Sequence, residues 1–355
     1  MARRALYVVN INGNDISSLL SPILISLSTT DKEGTSSDTC EIEIDDTDGR
    51  IVMPEKKAKI TILIGWFGGA VSEVFRGEVD EVRSRGDRGS GRKITISGKG
   101  MDTTGKAKQR QTRHMDNMNL QAALRKAGET AGITDIRVDP QLASIMRPYW
   151  HMDAESFLHF GQRIANEVGG TFKISDNRAI MARRGSGQSV TGQTLPSVTA
   201  KWGDNLISWD ITPSMGRPRY KEVRGRYYDR AAATWRNVQV QVPDEGAEAS
   251  TTRRHTSANQ DEAQRAAQND ATDANKNKGG GSVSIDGNVT ARAGGTCIVE
   301  GARPGVDGSY KIESVEHSID RSGGFVTKLT LKQPETKKDN RRSRSRSGSS
   351  SSSSS

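Results

Sequence analysis

The strongest constraint on the fold of this chain is a series of strand-like segments that occurs twice. Each segment alternates apolar and polar residues, and glycine-rich turns separate the segments, which is typical of short β-strands. Four N-terminal segments have C-terminal counterparts in the same order: 24–29 with 206–211, 59–65 with 295–301, 75–82 with 310–317, and 93–97 with 328–331. The sequence therefore predicts an internal duplication of one β-rich unit.

Between the two copies the apolar spacing becomes helical. A first helix is predicted over 120–131, beginning after Asn117 or Asn119 and ending at Gly132. A second helix is predicted to begin at Asp153, and its apolar face consists of Phe157, Phe160, Ile164 and Val168. Both helices are expected to pack on a hairpin at 171–182, which makes the middle of the chain an α+β module.

A third helix is predicted inside the second copy, where Ser257 and Gln260 have the spacing of a capping box. Its apolar stripe consists of alanines, from Ala263 to Ala274, so the helix buries little area and should lie against another element. Beyond residue 335 the Arg/Ser and polyserine composition predicts disorder.

The predicted fold class is mainly β with an α+β middle module, and it contains two related tube-like β-barrels, the second interrupted by an insertion. The predicted domains are a first barrel at 1–100, the α+β module at 101–195, a second barrel at 196–335 with a helical insertion at about 230–282, and a disordered tail at 336–355. A hydrophobic content of 33% and an aromatic content of 5% favour small barrels over one large core.

Charge and cysteine content exclude several classes of protein. The net charge is +9, but the segment after residue 335 has six basic residues and one acidic residue, so total charge does not indicate a nucleic-acid-binding body. The two cysteines, Cys40 and Cys297, do not form a disulfide framework or zinc motif, and both are expected to be free and buried. The apolar stretch at 60–67 is too short to span a bilayer, so no membrane anchor is expected.

The order of the motifs resembles the phage late control D family, the tail hub proteins of contractile phages, whose relatives include the hub part of type VI secretion spikes. The resemblance extends from about residue 5 to 333. It rests on these segments: 74–79 with 94–102, 119–124 with 131–133, 153–158 with 169–174, and 308–312 with 315–317.

The resemblance implies a structural baseplate hub in the virion tail, assembled in the host cytoplasm. It implies a homotrimer whose six barrels adapt a hexameric tail tube above to a trimeric central spike below, beside other baseplate proteins. Nucleic acid is expected only as a molecule that passes through the lumen. The alternatives are the hub of a phage-tail-like bacteriocin or other contractile injection system, and a tail-associated peptidoglycan hydrolase.

The sequence contains only weak matches to catalytic, phosphate-binding and metal-binding motifs, and we expect no catalytic, cofactor or metal site. The segment 100–106 has phosphate-loop spacing, but Ala107 stands where Ser or Thr must bind magnesium. Alternation places Glu41, Glu43 and Asp45 on one outer strand face, which favours a solvated face or a charged subunit contact over a glycosidase pair. The five histidines lack ligand spacing: His114, His151, His159, His255 and His317.

Overall fold

The structure is a computed structural model that describes residues 3–34, 37–89, 91–100, 105–175, 178–187, 194–212, 220–242, 247–276 and 279–332. The predicted tail at 336–355 lies outside these residues, as do residues 101–104 of the phosphate-loop-like segment.

The elements follow one another in chain order. The N-terminal part contains β1 (Ala5–Ile11), β2 (Asn14–Asp15), α1 (Ser17–Leu20), β3 (Leu24–Lys32), β4 (Thr39–Asp45), β5 (Lys59–Trp66), β6 (Val71–Asp87) and β7 (Gly91–Lys99). The middle part contains β8 (Arg110–Asn119), α2 (Leu120–Thr130), β9 (Asp135–Val138), α3 (Pro140–Ala143), β10 (Met146–Ser156), α4 (Phe157–Val168), β11 (Gly170–Ser175) and β12 (Arg178–Arg183). The C-terminal part contains β13 (Ser197–Lys201), β14 (Leu206–Thr212), β15 (Glu222–Asp229), β16 (Thr234–Gln241), β17 (Ser250–Thr252), α5 (Gln260–Lys276), β18 (Gly280–Asp286), β19 (Thr296–Glu300), β20 (Gly308–Asp320) and β21 (Gly324–Lys332).

A 13-stranded sheet contains two units with the same strand order. The first repeat has the order β3-β4-β7-β6-β5-β1, and the second repeat has the order β14-β18-β21-β20-β19-β13. The last pair differs between them, since β1 runs antiparallel to β5 whereas β13 runs parallel to β19. Strand β20 of the second repeat pairs with β3 of the first, which joins the two units into one sheet. The predicted mainly β fold class, with related β-units around an α+β module, is confirmed.

The hydrogen-bond registers show how closely the repeats correspond. Both first strands have an irregularity at the same place, after Leu24 in β3 and after Leu206 in β14, which agrees with the predicted alignment of these strands. The later strands correct that alignment. The irregularity after Val79 in β6 matches the one after Ile312 in β20, which shifts the predicted match by two residues. Alternation repeats every two residues, so a two-residue offset keeps the same faces buried and the sequence pattern cannot distinguish the two matches.

The α+β module has its own core. The buried faces of α2 and α4 pack with the β11–β12 hairpin, as predicted, and Phe157, Phe160 and Phe172 are almost fully buried there. Asn119 caps α2 as one of the two predicted candidates, because its side-chain oxygen accepts a hydrogen bond from Ala122. The antiparallel pair β8–β10 was not predicted, since its strands are largely polar and exposed apart from Met115, Trp150, Met152 and Glu155.

Two predicted helix starts were wrong. Helix α4 is capped by Ser156 instead of Asp153, because Asp153 lies within β10 at an irregular stretch that continues to Glu155. Helix α5 begins at Gln260, and Asn259 caps it by accepting a hydrogen bond from the backbone N–H of Glu262. The backbone N–H of Ser257 instead donates to the carbonyl of Arg226.

The alanine stripe of α5 packs on a small separate sheet of β16, β15 and β17. Strand β15, which the sequence indicated as part of the second repeat, belongs to this sheet because Val223 and Tyr227 face the alanines of the helix. A side-chain carbon added at Gly225 would lie 2.9 Å from the carbonyl oxygen of Ala263, so the helix approaches the strand closely here. The expectation that this thin stripe lies against another element is confirmed.

Candidate assembly surface

One face of the joined sheet is polar along eight neighbouring strands, β14-β18-β21-β20-β3-β4-β7-β6. Alternation explains this face, since Ile42 and Ile44 point into the first core whereas Glu41 and Glu43 lie on the opposite side. The cross-strand partners of Glu41 and Glu43 in β3 are Ser28 and Ser26. We call this side of the eight strands the polar face.

The polar face carries charges of both signs. Lys93 contacts Glu43 at 3.2 Å, and Lys99 contacts Asp80 at 2.6 Å. The predicted acidic edge of Glu41, Glu43 and Asp45 is therefore part of a larger mixed surface. A face of hydroxyls and opposite charges is well hydrated.

The two repeats are joined by a buried contact as well as by strand pairing. The indole of Trp66 in the first repeat donates a hydrogen bond to the carbonyl of Gly287 at 2.9 Å, and its ring centroid lies 5.2 Å from that of Phe325. Where β20 meets β3, Ile319 lies opposite Leu27, and both are buried. The repeats therefore have a common core at their joint.

A lysine of the middle module connects both repeats. The ammonium nitrogen of Lys173 in β11 lies 2.7 Å from Asp31 and 2.9 Å from Asp38 of the first repeat. Asp31 also accepts a hydrogen bond from the backbone of Ala293 in the second repeat, at 3.0 Å. Burial opposes the charge of Lys173, but the two carboxylates prevail and raise its pKa above the ordinary lysine value. This cluster links the middle module to both repeats through ion pairs and a hydrogen bond.

The cysteines and His159, for which we expected no catalytic role, lie on separate elements of the described fold. Cys40 lies in β4 and Cys297 in β19, both thiols are free and buried, and burial raises each pKa to about 12. Such thiols are protonated at neutral pH and behave as small apolar residues, which agrees with the expected packing role. His159 is an exposed residue of α4, as expected, and its Nδ1 lies 2.8 Å from Glu155.

Neither metal ligation nor membrane insertion is indicated where the structure describes the chain. No group of three or more His, Cys, Asp or Glu residues in that part is arranged to hold a metal ion. Among its helices, none combines the length and apolar character needed to cross a membrane.

Sequence comparison finds relatives among phage tail proteins. The chain is 30% identical over 198 residues to the probable baseplate hub protein of Escherichia phage P2 and 28% identical over 198 residues to that of Escherichia phage 186. Each match covers 56% of this chain and 50% of the relative, so the chain spans about half the length of the curated relatives that it matches. No family model matches the chain.

Solved structures share the fold over nearly the whole chain. A prophage MuSo2 43 kDa tail protein from Shewanella oneidensis has a TM-score of 0.70 at 16% identity and covers 92% of this chain, with 98% of its own length matched. An E. coli component of the type VI secretion system has a TM-score of 0.56 at 11% identity, over 92% of this chain and 77% of its own.

The chain thus shares its fold with a prophage tail protein and with a component of a type VI secretion system. The predicted resemblance to phage baseplate hub proteins, and the predicted location in a virion tail baseplate, are confirmed.

Proposed function

We propose that this chain is a structural, non-enzymatic baseplate hub that assembles as a homotrimer and adapts a hexameric tail tube to a trimeric central spike. The observation that carries the proposal is the duplication of one strand order within a single joined sheet. Three such chains present six similar units around one axis, which matches the symmetry of a hexameric tube while retaining threefold symmetry for a spike.

The polar face supports the same role. If the joined sheets of three chains form a ring, their polar faces line one side and the hydrophobic cores lie on the other. A hydrated lining suits the passage of a nucleic acid or an extended polypeptide, which is the only contact with nucleic acid that we propose. The tube and spike proteins, and other baseplate proteins, are the proposed partners.

Native mass tests the assembly. Light scattering of the purified chain, alone and with its spike protein, should give three times the chain mass of 38.5 kDa. A chain that stays single at high concentration, with the spike present, contradicts the trimer. A cell-wall clearing assay tests the non-enzymatic part of the proposal, since a peptidoglycan hydrolase would clear purified cell walls and a structural hub would not.

A further inference from the structure

The small sheet of β16, β15 and β17 has one long edge that no strand of the described chain covers. Strand β16 pairs with β15 over all eight of its residues without an irregularity, and its other side is unpaired within the described residues. It contains neither lysine nor proline, and its single charged residue, Arg236, is paired with Asp229 at 2.9 Å. Proteins usually protect an edge strand with such residues, with a bulge or by shortening it, so this regular edge points to a partner.

The register shows which backbone groups of β16 face the free edge. The N–H of Val242 donates to the carbonyl of Lys221 at 2.8 Å, in step with the β15–β16 pairs. Backbone groups of an antiparallel strand point to opposite sides at alternate residues. The even-numbered residues of β16 therefore bond to β15, and the odd-numbered residues direct their N–H and C=O groups outward: Trp235, Asn237, Gln239 and Gln241.

The side chains of these odd-numbered residues lie on the face of the sheet away from α5, which we call the outer face. Val238 and Val240 are buried against the alanines of α5, so alternation places their neighbours on the opposite side. Trp235 is 50% exposed there, and Tyr228, directly opposite it in β15, is 41% exposed. Their ring centroids lie 5.2 Å apart. Exposed tryptophan and tyrosine side chains are common anchors of protein interfaces.

A cation of the outer face lies beside the free edge. Arg226 of β15 is opposite Asn237, and its guanidinium extends over β16, where its central carbon lies 4.6 Å from the ring centroid of Trp235. Arg224, the next arginine on this face, is paired with Glu222, whereas Arg226 is exposed and has no carboxylate partner in the described part of the chain. A guanidinium held against an indole keeps its N–H groups free for a carboxylate.

We infer that an extended acidic segment of another protein adds a strand to the free edge of β16. Its backbone bonds to the outward groups of Trp235, Asn237 and Gln239, and a carboxylate on the outer face pairs with Arg226. This inference goes beyond the proposed function, because the edge belongs to the helical insertion and to neither repeat.

A polypeptide fits this edge better than a nucleic acid does. The edge presents both N–H donors and C=O acceptors, and an added strand satisfies both kinds of group. Phosphate oxygens only accept hydrogen bonds, so a nucleic acid would leave the outward carbonyls unpaired. Phosphate binding also gains its affinity from several cations, and only one of the two arginines on the outer face lacks a carboxylate partner.

A synthetic peptide tests the edge. The probe alternates valine and glutamate over the eight-residue length of β16, carries a fluorescent label and is titrated with the full chain. Fluorescence anisotropy should show saturable binding with a Kd below about 1 mM. A matched peptide with lysine in place of glutamate should bind at least about ten-fold more weakly, because its charge opposes Arg226.

Two further peptides report on the backbone. One is N-methylated at every glutamate and the other at every valine, so each loses the N–H groups of one side of the strand but keeps its charge. One of the two should bind at least about ten-fold more weakly than the parent peptide, because it lacks the donors that face β16.

Variants of the protein test the same contacts. Arg226→Glu should weaken binding of the glutamate peptide by about ten-fold. Asn237→Pro removes an outward N–H but no hydrogen bond to β15, so it should weaken binding while the far-UV circular dichroism stays unchanged. Arg254→Glu makes the same change of charge at an exposed position beyond β17, at the opposite edge of the sheet, and should keep binding within about two-fold of the parent.

The outcomes separate strand addition from its rivals. Absence of saturable binding up to about 1 mM, equal binding of the lysine peptide, or equal binding of both methylated peptides would overturn the inference. Tighter binding of single-stranded oligothymidylate, abolished by Arg226→Glu, would assign the outer face to nucleic acid instead. The native mass of the hub is a separate measurement, so failure at this edge leaves the proposed function standing.

Discussion

The ring of Phe172 in β11 occupies the space that a side chain on Gly161 of α4 would need. A side-chain carbon added at Gly161 would overlap three ring atoms of Phe172, and both residues are buried. The glycine therefore sets how closely the helix approaches the hairpin in the core of the α+β module.

Gly161→Ala should destabilise the protein, although alanine is the better helix former by about 1 kcal/mol. The overlap with Phe172 should cost roughly 1–3 kcal/mol beyond that gain, because a packed core tolerates extra volume poorly. Chemical denaturation measures the free energy of unfolding. Adding Phe172→Leu should recover part of the loss relative to Phe172→Leu alone. A stabilised single variant would show that the helix can move away from the hairpin at little cost.

Phe157→Ala should create a cavity in the same core. Phe157 is fully buried and contacts Phe172 edge-on, with ring centroids 5.7 Å apart. Its truncation should lower the free energy of unfolding by about 3–5 kcal/mol. Phe67→Ala is the matched control, because Phe67 is 72% exposed and its loss should cost much less. A loss below about 1 kcal/mol for Phe157 would mean that the core is loosely packed.

An element of this fold could be predicted from the sequence where the spacing of its apolar residues marks the face that is buried. The strand at Leu24–Lys32 could be aligned with Leu206–Thr212 because both have a similar residue pattern, and the irregularity that the structure shows near the start of each strand agrees with that alignment. The β8–β10 pair could not be predicted, because most of its side chains are polar on both faces and only a few, such as Trp150, are buried. Helix α4 was predicted three residues early because Asp153 has the chemistry of a cap but the backbone of a strand.

The cluster around Lys173 could not be predicted for a different reason. Its partner Asp31 lies 142 residues away in sequence, and neither residue has a local pattern that distinguishes it from a solvated charge.

Lys173→Met should weaken the attachment of the α+β module to the repeats. The substitution keeps the length of the side chain but leaves Asp31 and Asp38 without their shared cation in a partly buried site. We expect a loss of about 1–3 kcal/mol in the free energy of unfolding. Lys59→Met, at an exposed position of β5, is the control and should change stability by less than about 0.5 kcal/mol. Equal effects of the two substitutions would contradict a structural role for the cluster.

Cys40 and Cys297 should resist thiol reagents in the folded protein. Both are buried, and burial raises each pKa to about 12, so little thiolate exists at pH 8. A maleimide should label neither residue in native protein within an hour and both residues after unfolding in denaturant, as counted by intact mass. Rapid native labelling of one cysteine would show that its strand opens readily.

His317 should make the joint between the repeats sensitive to acid. It lies on β20 opposite Thr29 of β3, and its Nδ1 is 3.0 Å from the hydroxyl of Thr327. Burial, assisted by the nearby charge of Arg292 and opposed by Asp31, lowers its pKa to about 4, well below the ordinary histidine value. The native state therefore binds this proton less readily than the unfolded state does.

This difference in proton binding between the folded and unfolded states determines how stability changes with pH. Between pH 6.5 and pH 4 the unfolded chain gains a proton at His317 that the folded chain does not, so stability falls as the pH falls through this window. The penalty is absent above about pH 7.5, reaches about 2 kcal/mol at pH 5 and levels off below the folded pKa. Carboxylates contribute their own dependence, so the informative quantity is the difference between two proteins.

His317→Gln removes the titrating group while retaining a side chain that can hydrogen-bond to Thr327. Denaturation at matched ionic strength gives the free energy of unfolding of the parent and of the variant at pH 8 and at pH 5. The difference in this free energy between the two proteins should change by about 2 kcal/mol in favour of the variant on going from pH 8 to pH 5. His114→Gln is the control, because His114 is an exposed residue of β8 and should leave the pH profile unchanged. Parallel profiles for the parent and His317→Gln would mean that His317 is protonated in the folded protein with an ordinary pKa, and hence that the joint admits water.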